Sequence, residues 1–347
     1  MGAVCSCLNQ RSGEAEPKRL SDVSERQSDS ISLRLESLED LVKIQGLVRK
    51  YLEMHQVRSV FTTLALPHLP PLGSLLLPIQ KLSSPPRYLN ERSLKTQKKL
   101  KAFRYGELRV EDVETVRRGP VLLDNGAVYV GQWNLQLQRH GKGRQYWKDG
   151  TFYEGFWEND HIHQSGRILF TDGSAYQGEW RTDQAHGQGF YCTADGWQFT
   201  GSWLHHKQSG WGSEVLDFEG KYEGHYAEGF KQGRGVFEWL SGERYDGQLA
   251  HDTLEGTGTY TWSDGRTYTG EWQHGQMHGS GAMQWPDGRQ YKGEFALGRR
   301  AGYGTMKWPD RRRFKGRWLN GRPHGLGLLR LSNNEEMRTL WNRGVRE

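Results

Sequence analysis

Through the last two-thirds of the chain, apolar and polar positions alternate in short bursts that return at a fixed interval. An aromatic, a glycine and a second aromatic share one parity in Tyr129-Val-Gly131-Gln-Trp133, Tyr153-Glu-Gly155-Phe-Trp157 and Tyr176-Gln-Gly178-Glu-Trp180. The series continues with Phe199-Thr-Gly201-Ser-Trp203, Tyr222-Glu-Gly224-His-Tyr226 and Tyr245-Asp-Gly247-Gln-Leu249. It ends with Tyr268-Thr-Gly270-Glu-Trp272, Tyr291-Lys-Gly293-Glu-Phe295 and Phe314-Lys-Gly316-Arg-Trp318. The first interval is 24 residues and the other seven are 23. Period-two alternation marks a strand, with both rings on one face and the intervening residues on the other. The glycine between the rings leaves room for a neighbouring ring or backbone.

Two further signals keep the same period. A Gly-x-Gly pair follows each burst, preceded by histidine in His140-Gly141-Lys-Gly143, His186-Gly187-Gln-Gly189, His278-Gly279-Ser-Gly281 and His324-Gly325-Leu-Gly327. The second unit has His163 and Gly166, with Gln164 where the first glycine belongs. Asp-Gly precedes most bursts, as in Asp149-Gly150, Asp172-Gly173, Asp264-Gly265 and Asp287-Gly288. It reads as a hairpin turn whose positive-φ positions match the twist of paired strands. Each unit is then a β-hairpin, and nine hairpins at about 4.8 Å per strand extend on the order of 85 Å. A lone hairpin cannot bury its rings, so each unit depends on its neighbours. The predicted fold is mostly β: an elongated, solenoid-like meander of about nine antiparallel hairpins over residues 129–330. Residues 103–128 would cap its start, and 331–347 would form a C-terminal cap or tail.

The pattern Tyr-x-Gly-x-Trp-x-x-Gly-x-x-His-Gly-x-Gly, closed by Asp-Gly and clearest from Tyr268 to Gly288, resembles the membrane occupation and recognition nexus (MORN) repeat. The resemblance implies a twisted antiparallel sheet. It also implies scaffolding near membranes or cytoskeleton, since such repeats occur in junctional membrane proteins, ciliary radial spokes and parasite cytoskeletal proteins, and beside lipid kinases and methyltransferases. Tyr226 and Leu249 replace tryptophan, and Glu219-Gly220 and Ser241-Gly242 lack the aspartate, so the middle departs from the pattern.

The N-terminal third is of a different kind. Met1-Gly2-Ala-Val-Cys5-Ser6-Cys7 matches the acceptor for myristoylation at Gly2, with Cys5 and Cys7 placed for palmitoylation. One myristoyl chain holds a membrane only marginally, and residues 8–30 mix acidic with basic groups, so palmitate has to supply the second signal. Residues 1–30 thus read as an acylated, serine-rich tether, and the bland alternative is an unmodified terminus with chance cysteines. Residues 31–55 carry a helical apolar stripe, in which Ile44, Gln45 and Arg49 resemble the front half of an IQ motif gripped by calmodulin-like light chains. Docking on the array or on a second copy is the plainer use. Residues 56–102 hold six prolines between Pro67 and Pro86, then Lys95, Lys98, Lys99 and Lys101. They read as an extended linker ending in a solvated helix face.

Composition fits this picture. Gly is 45 and Trp 14 of 347 residues, hydrophobic residues are 35% and mean hydropathy is −0.84. Ring-on-ring packing therefore replaces an aliphatic core. Three cysteines allow neither a disulfide framework nor a four-ligand zinc site. Histidines equivalent between hairpins would lie about 9–10 Å apart, too far to share a metal. No P-loop or dinucleotide fingerprint is present, and Cys192 has no base assigned to it. The expectation is a non-enzymatic chain with no metal and no cofactor.

Binding is the remaining use. Exposed aromatics rimmed by charge would line the sheet as a protein-binding surface. Arg299, Arg300, Arg311, Arg312, Arg313, Lys315 and Arg317 concentrate positive charge in the last units, facing either acidic phospholipid or a tubulin- or actin-associated protein. A net charge of +6 is small for nucleic acid. The expected function is a scaffold tethering a cytoskeletal or signalling partner to the cytoplasmic face of a membrane. The alternatives are a structural component of a ciliary or cortical assembly without a lipid role, and an accessory subunit of a lipid kinase.

Overall fold

The computed structural model describes residues 82–105, 114–216 and 219–347. Among them stand one helix, Glu91–Lys99, and 21 strands joined in one sheet. Every strand pairs antiparallel with its neighbours in sequence. The run starts at Val116–Leu122 against Val128–Trp133 and ends at Glu336–Asn342 against Val345–Arg346. The fold is the antiparallel hairpin meander that the alternation predicts.

A row of glycines runs through the middle of the sheet. Gly131 faces Gly143, which faces Gly155, and the pairing continues strand by strand to Gly316 and Gly327. The row exists because each unit lays its first ring flat across two of them. A Cβ on Gly155 or Gly166 would stand 2.2 or 2.1 Å from the Tyr153 hydroxyl oxygen. Drawn over the row, that hydroxyl donates to the carbonyl three residues on: Tyr153 to Phe156 at 3.0 Å, Tyr245 to Gln248 at 2.8 Å. Most first rings then meet two second rings edge-on; Tyr222 and Tyr245 meet one, because Leu249 stands at the second position between them. Tyr176 lies 5.0 Å from Trp180 in its own unit and 5.1 Å from Trp203 in the next. Such pairs contribute about 0.5–1.5 kcal/mol each beyond the area they bury. This is the ring-on-ring core expected from composition.

The turns differ from expectation. The tight two-residue turns, with positive φ at both positions, follow the second ring: Asn159-Asp160, Thr182-Asp183, His205-His206, His251-Asp252 and their counterparts. Asp-Gly instead lies in three-residue loops. In Lys148-Asp149-Gly150 the Trp147 amide donates to the Thr151 carbonyl at 2.9 Å, and of the loop residues only Gly150 has positive φ. The aspartate holds its loop by accepting from the amide two residues on, Asp149 from Thr151 at 2.8 Å. The 24-residue first interval has the same kind of cause. The first unit turns through Leu135-Gln136-Leu137, one residue longer than its counterparts, with Leu137 at φ 62°.

The first glycine of each Gly-x-Gly pair has positive φ and sits in a bulge. Gly178 pairs with Gly189, whereas the adjacent Glu179 pairs with His186, which leaves Gly187 and Gln188 unmatched. Gln164 occupies the equivalent position in the second unit at φ 54°.

The two ends are built from more of the chain than the repeat pattern shows. Met337-Arg-Thr339-Leu-Trp341 keeps the spacing for a tenth time, with Thr339 paired to Gly327 where the glycine row stops. At the other end, residues 82–105 lie against the sheet. Ser93 Oγ donates to the Phe170 carbonyl at 2.8 Å and Thr96 Oγ1 to that of Gly173 at 2.6 Å. Lys95, Lys98 and Lys99 face solvent.

Candidate interaction surfaces

The ring face is closed. Tyr129, Tyr153, Tyr176, Tyr222, Tyr245 and Tyr268 are fully buried, and the second-ring tryptophans are nearly so. The repeat aromatics therefore do not line an exposed binding surface, because the glycine row and the neighbouring rings consume their area. Burial raises the hydroxyl pKa of each of these tyrosines far above its ordinary value.

Opposite the second ring, cations enter this face at a repeated position. Arg139 stacks 4.2 Å from the Trp157 centroid and pairs with Asp160 at 2.9 Å. Arg300 lies 4.7 Å from Trp318 and donates to the Gly321 carbonyl at 2.8 Å. Lys231 is 1% exposed over Tyr222 and Tyr226, ion-paired with the equally buried Glu214. Glu214 also accepts from the Tyr226 hydroxyl at 2.7 Å and from Trp197 Nε1 at 2.6 Å. The departure of Tyr226 from tryptophan thus brings a polar network inside the array. Burial holds the Lys231 ammonium well below its usual pKa.

Three of the recurrent histidines tie units together. His140, His163 and His324 accept through Nδ1, at 3.4 Å each, from the first amide of the next unit's tight turn. Gln232 and Glu255 do the same at the equivalent position, at 3.1 and 2.9 Å. Among the described residues no group of three or more His, Cys, Asp or Glu could hold a metal ion. Cys192 packs with Phe152, Leu169 and Ala175, and burial pushes its thiol pKa up.

The opposite, outer face changes character along the array. In the first three units it carries an apolar cluster beside a buried Glu154–Arg167 ion pair, and residues 82–105 pack on it. Leu89 and Leu100 pack on Phe152, Leu169 and Cys192, and Tyr105 meets Phe156 edge-on at 5.5 Å. Arg167 reaches from the sheet to the Lys101 carbonyl at 2.7 Å, and Lys142 lies 5.4 Å from the Tyr105 ring. In the middle units opposite charges pair across strands, Lys221 with Glu238 at 3.1 Å and Arg234 with Asp246 at 3.3 Å. Large apolar groups reach solvent here and beyond, with Trp211 55% and Tyr303 59% exposed.

The arginine cluster read from the sequence divides. Arg313, Lys315 and Arg317 share the outer face of one strand, Arg313–Leu319. Arg300 turns to the ring face. Arg299 stands beside the turn, opposite Ala296. Arg311, at φ 73°, fills the loop position usually held by glycine, and Arg312 folds back on Asp310 and Trp308. Gly2, Cys5, Cys7, Ile44, Gln45 and Arg49 lie outside the described residues.

An open antiparallel meander of 23-residue hairpins, with one face sealed by its own rings, defines a β-repeat protein. The model of the family described as MORN repeat matches residues 138–152, 153–175, 176–198, 222–244, 245–265, 268–288, 291–311 and 314–335. The chain carries MORN repeats. The unit that begins at Phe199 falls between two matches, yet it pairs in register with both neighbours. No curated protein matches the sequence. Among solved structures the chain is similar to the TCP10 domain of Danio rerio CPAP in complex with a peptide of Danio rerio STIL. That likeness has 10% identity and a TM-score of 0.34 over 67% of this chain and 97% of that one. It is also similar to the Drosophila melanogaster SAS-4 (dCPAP) TCP domain in complex with a proline-rich motif of Ana2 (dSTIL), at 10% identity and TM-score 0.15, covering 68% and 96%. A third is selenomethionine-substituted virginiamycin B lyase from Staphylococcus aureus, at 10% identity and TM-score 0.14, covering 65% and 84%.

Proposed function

We propose that the chain is a non-enzymatic protein-binding scaffold, held at the cytoplasmic face of a membrane by its N-terminus. The observation that carries the scaffold reading is the asymmetry of the sheet. One face is sealed, and the other already receives a peptide, the chain's own residues 82–105, through backbone carbonyls and apolar contacts. Beyond the third unit that receptive face is free of this segment. The membrane reading is supported by Gly2, Cys5 and Cys7 in an acylation context, with two acyl chains giving stable attachment where one does not.

Fractionation tests the anchor. Gly2→Ala, or Cys5→Ser with Cys7→Ser, is expected to move the protein from membrane to cytosol, and unchanged membrane association overturns that part. Proximity labelling with the wild-type and Gly2→Ala chains tests the scaffold. Neighbours shared by both identify partners held by the array, and an array that labels no neighbour reproducibly overturns the scaffold reading.

A further inference from the structure

The outer face of the last two of the nine units, together with the tenth strand pair, carries a mainly basic row beside a mainly apolar one. Lys292 pairs with Thr305, Thr305 with Lys315, Lys315 with Leu328 and Leu328 with Arg338, so a cation stands on every second strand of one row. Beside it, Lys307, Arg313 and Arg330 stand on three consecutive strands. On the other side of the first row lie Tyr303, Arg317, Leu326 and Leu340, with Leu326 71% and Leu340 44% exposed. Arg317 stacks on Tyr303 at 5.2 Å, which holds its guanidinium plane out on this face. The two carboxylates on these strands are engaged: Glu294 accepts the Tyr303 amide at 3.0 Å, and Glu336 stands 3.9 Å from Arg313.

We infer that this face docks an acidic amphipathic helix of a partner protein, lying across the strands. The inference rests on the scaffold reading and gives it a partner chemistry. The rows run perpendicular to the strands, so an apolar stripe lies parallel to a basic one. A helix with an apolar and an acidic stripe presents the same two lines. The spacing agrees: cations two strands apart are separated by about 9.6 Å, close to the roughly 10.5 Å of seven helical residues. An extended chain repeats its same-side residues at about 6.8 Å and loses step with that row. Arginines favour carboxylates, which they bind through two parallel hydrogen bonds. Strands also rotate by about 20° each, so the face turns through about 80° over the four steps from Lys292 to Arg338. A narrow ligand following the rows can touch every cation, whereas a flat bilayer cannot. The same sheet already carries a helix, Glu91–Lys99, against its first units.

The test uses the full chain and a fluorescent peptide with Glu and Leu at helical spacing, read by anisotropy. Binding is expected, weakened about tenfold or more by Lys292→Glu, Lys315→Glu and Arg338→Glu together. Tyr303→Ala with Leu326→Ala should also weaken it. Lys95→Glu, Lys98→Glu and Lys99→Glu, an equal charge change elsewhere, should leave it unchanged. The altered side chains face solvent, and unchanged thermal melts show that the fold survives. Equal loss in the control variant overturns the inference, as does indifference to the first. Capture by phosphatidylserine vesicles without peptide binding also overturns it, in favour of lipid. Labelled neighbours that persist when the peptide test fails would leave the scaffold standing and remove only this partner chemistry.

Discussion

The indole Nε1 of Trp180 donates to the carbonyl oxygen of Gly166, 3.1 Å away in the preceding unit. Trp203 binds Gly189, Trp272 binds Gly258 and Trp318 binds Gly304 in the same way, at 3.2–3.3 Å. The same glycines lie beneath the first ring of their own unit, so one backbone position serves two units at once. Gly258→Ala would place a Cβ 2.4 Å from the Tyr245 hydroxyl and 2.6 Å from its ring. Forcing that ring aside is expected to cost about 1–3 kcal/mol, read as a lower urea midpoint. Gly119→Ala, with nothing within 4 Å of its Cβ, is expected to stay within about 0.5 kcal/mol of wild type.

Gln164 offers the opposite experiment. It holds the bulge position at φ 54°, where eight other units have glycine. Left-handed backbone costs a non-glycine residue roughly 1–2 kcal/mol, partly offset by the greater freedom of glycine in the unfolded chain. Gln164→Gly is therefore expected to stabilise the array by about 0.5–1 kcal/mol in thermal and urea melts. A lower midpoint would mean that the side chain's own contacts outweigh the strain.

The Glu214–Lys231 pair predicts a large asymmetry between breaking the pair and replacing it. Glu214→Gln leaves a buried ammonium without its counter-charge, expected to destabilise by about 3 kcal/mol or more. Glu214→Leu with Lys231→Met removes both charges and should recover part of that loss, although Tyr226 and Trp197 then lose their acceptor. A double-mutant cycle measured by urea unfolding separates the two effects.

His206 gives a pH dependence. Burial lowers its pKa from the ordinary 6.5, opposed by Asp183 and assisted by His205. It remains neutral and accepts the Ala185 amide through Nδ1 at 3.2 Å. As pH falls through 6.5 the unfolded chain takes up this proton before the folded one does. The contribution of His206 is therefore full above that pH and is lost progressively below it. Melting temperatures between about pH 7.5 and pH 5.5 should fall, and His206→Gln, which keeps an acceptor and cannot titrate, should reduce the slope. An unchanged slope would assign the dependence to other groups.

The repeat was legible because its determinants are invariant chemical types at fixed spacing: rings at period two, with glycine where a ring must lie flat. What escaped the sequence was carried by residues with no single identity. Asn159-Asp160, Thr182-Asp183 and His205-His206 share positive φ and little else, so the tight turns gave no common signal. Asp-Gly gave a strong signal for the wrong loop length, because an aspartate that caps a three-residue loop looks like one in a two-residue turn. The tenth unit hid behind Met337 and Thr339, although Met337 stands 23 residues after Phe314. The charge cluster is legible only as density along the chain, whereas strand alternation sends Arg300 to the ring face and Arg313, Lys315 and Arg317 to the outer one. The docking of residues 82–105 is not legible in the sequence, since Ser93 and Thr96 reach backbone carbonyls and Leu89 and Leu100 follow no repeat.

Because each strand pairs only with strands next to it in sequence, no pairing in the array waits for a distant segment. A hairpin leaving the ribosome finds its docking surface already built by the unit before it, and the glycine row lengthens by two residues at each step. The array can thus assemble from its first unit onward in the direction of synthesis. The growing edge is a bare strand until the next unit arrives, and at Thr339, paired with Gly327, the glycine row gives way to a side chain.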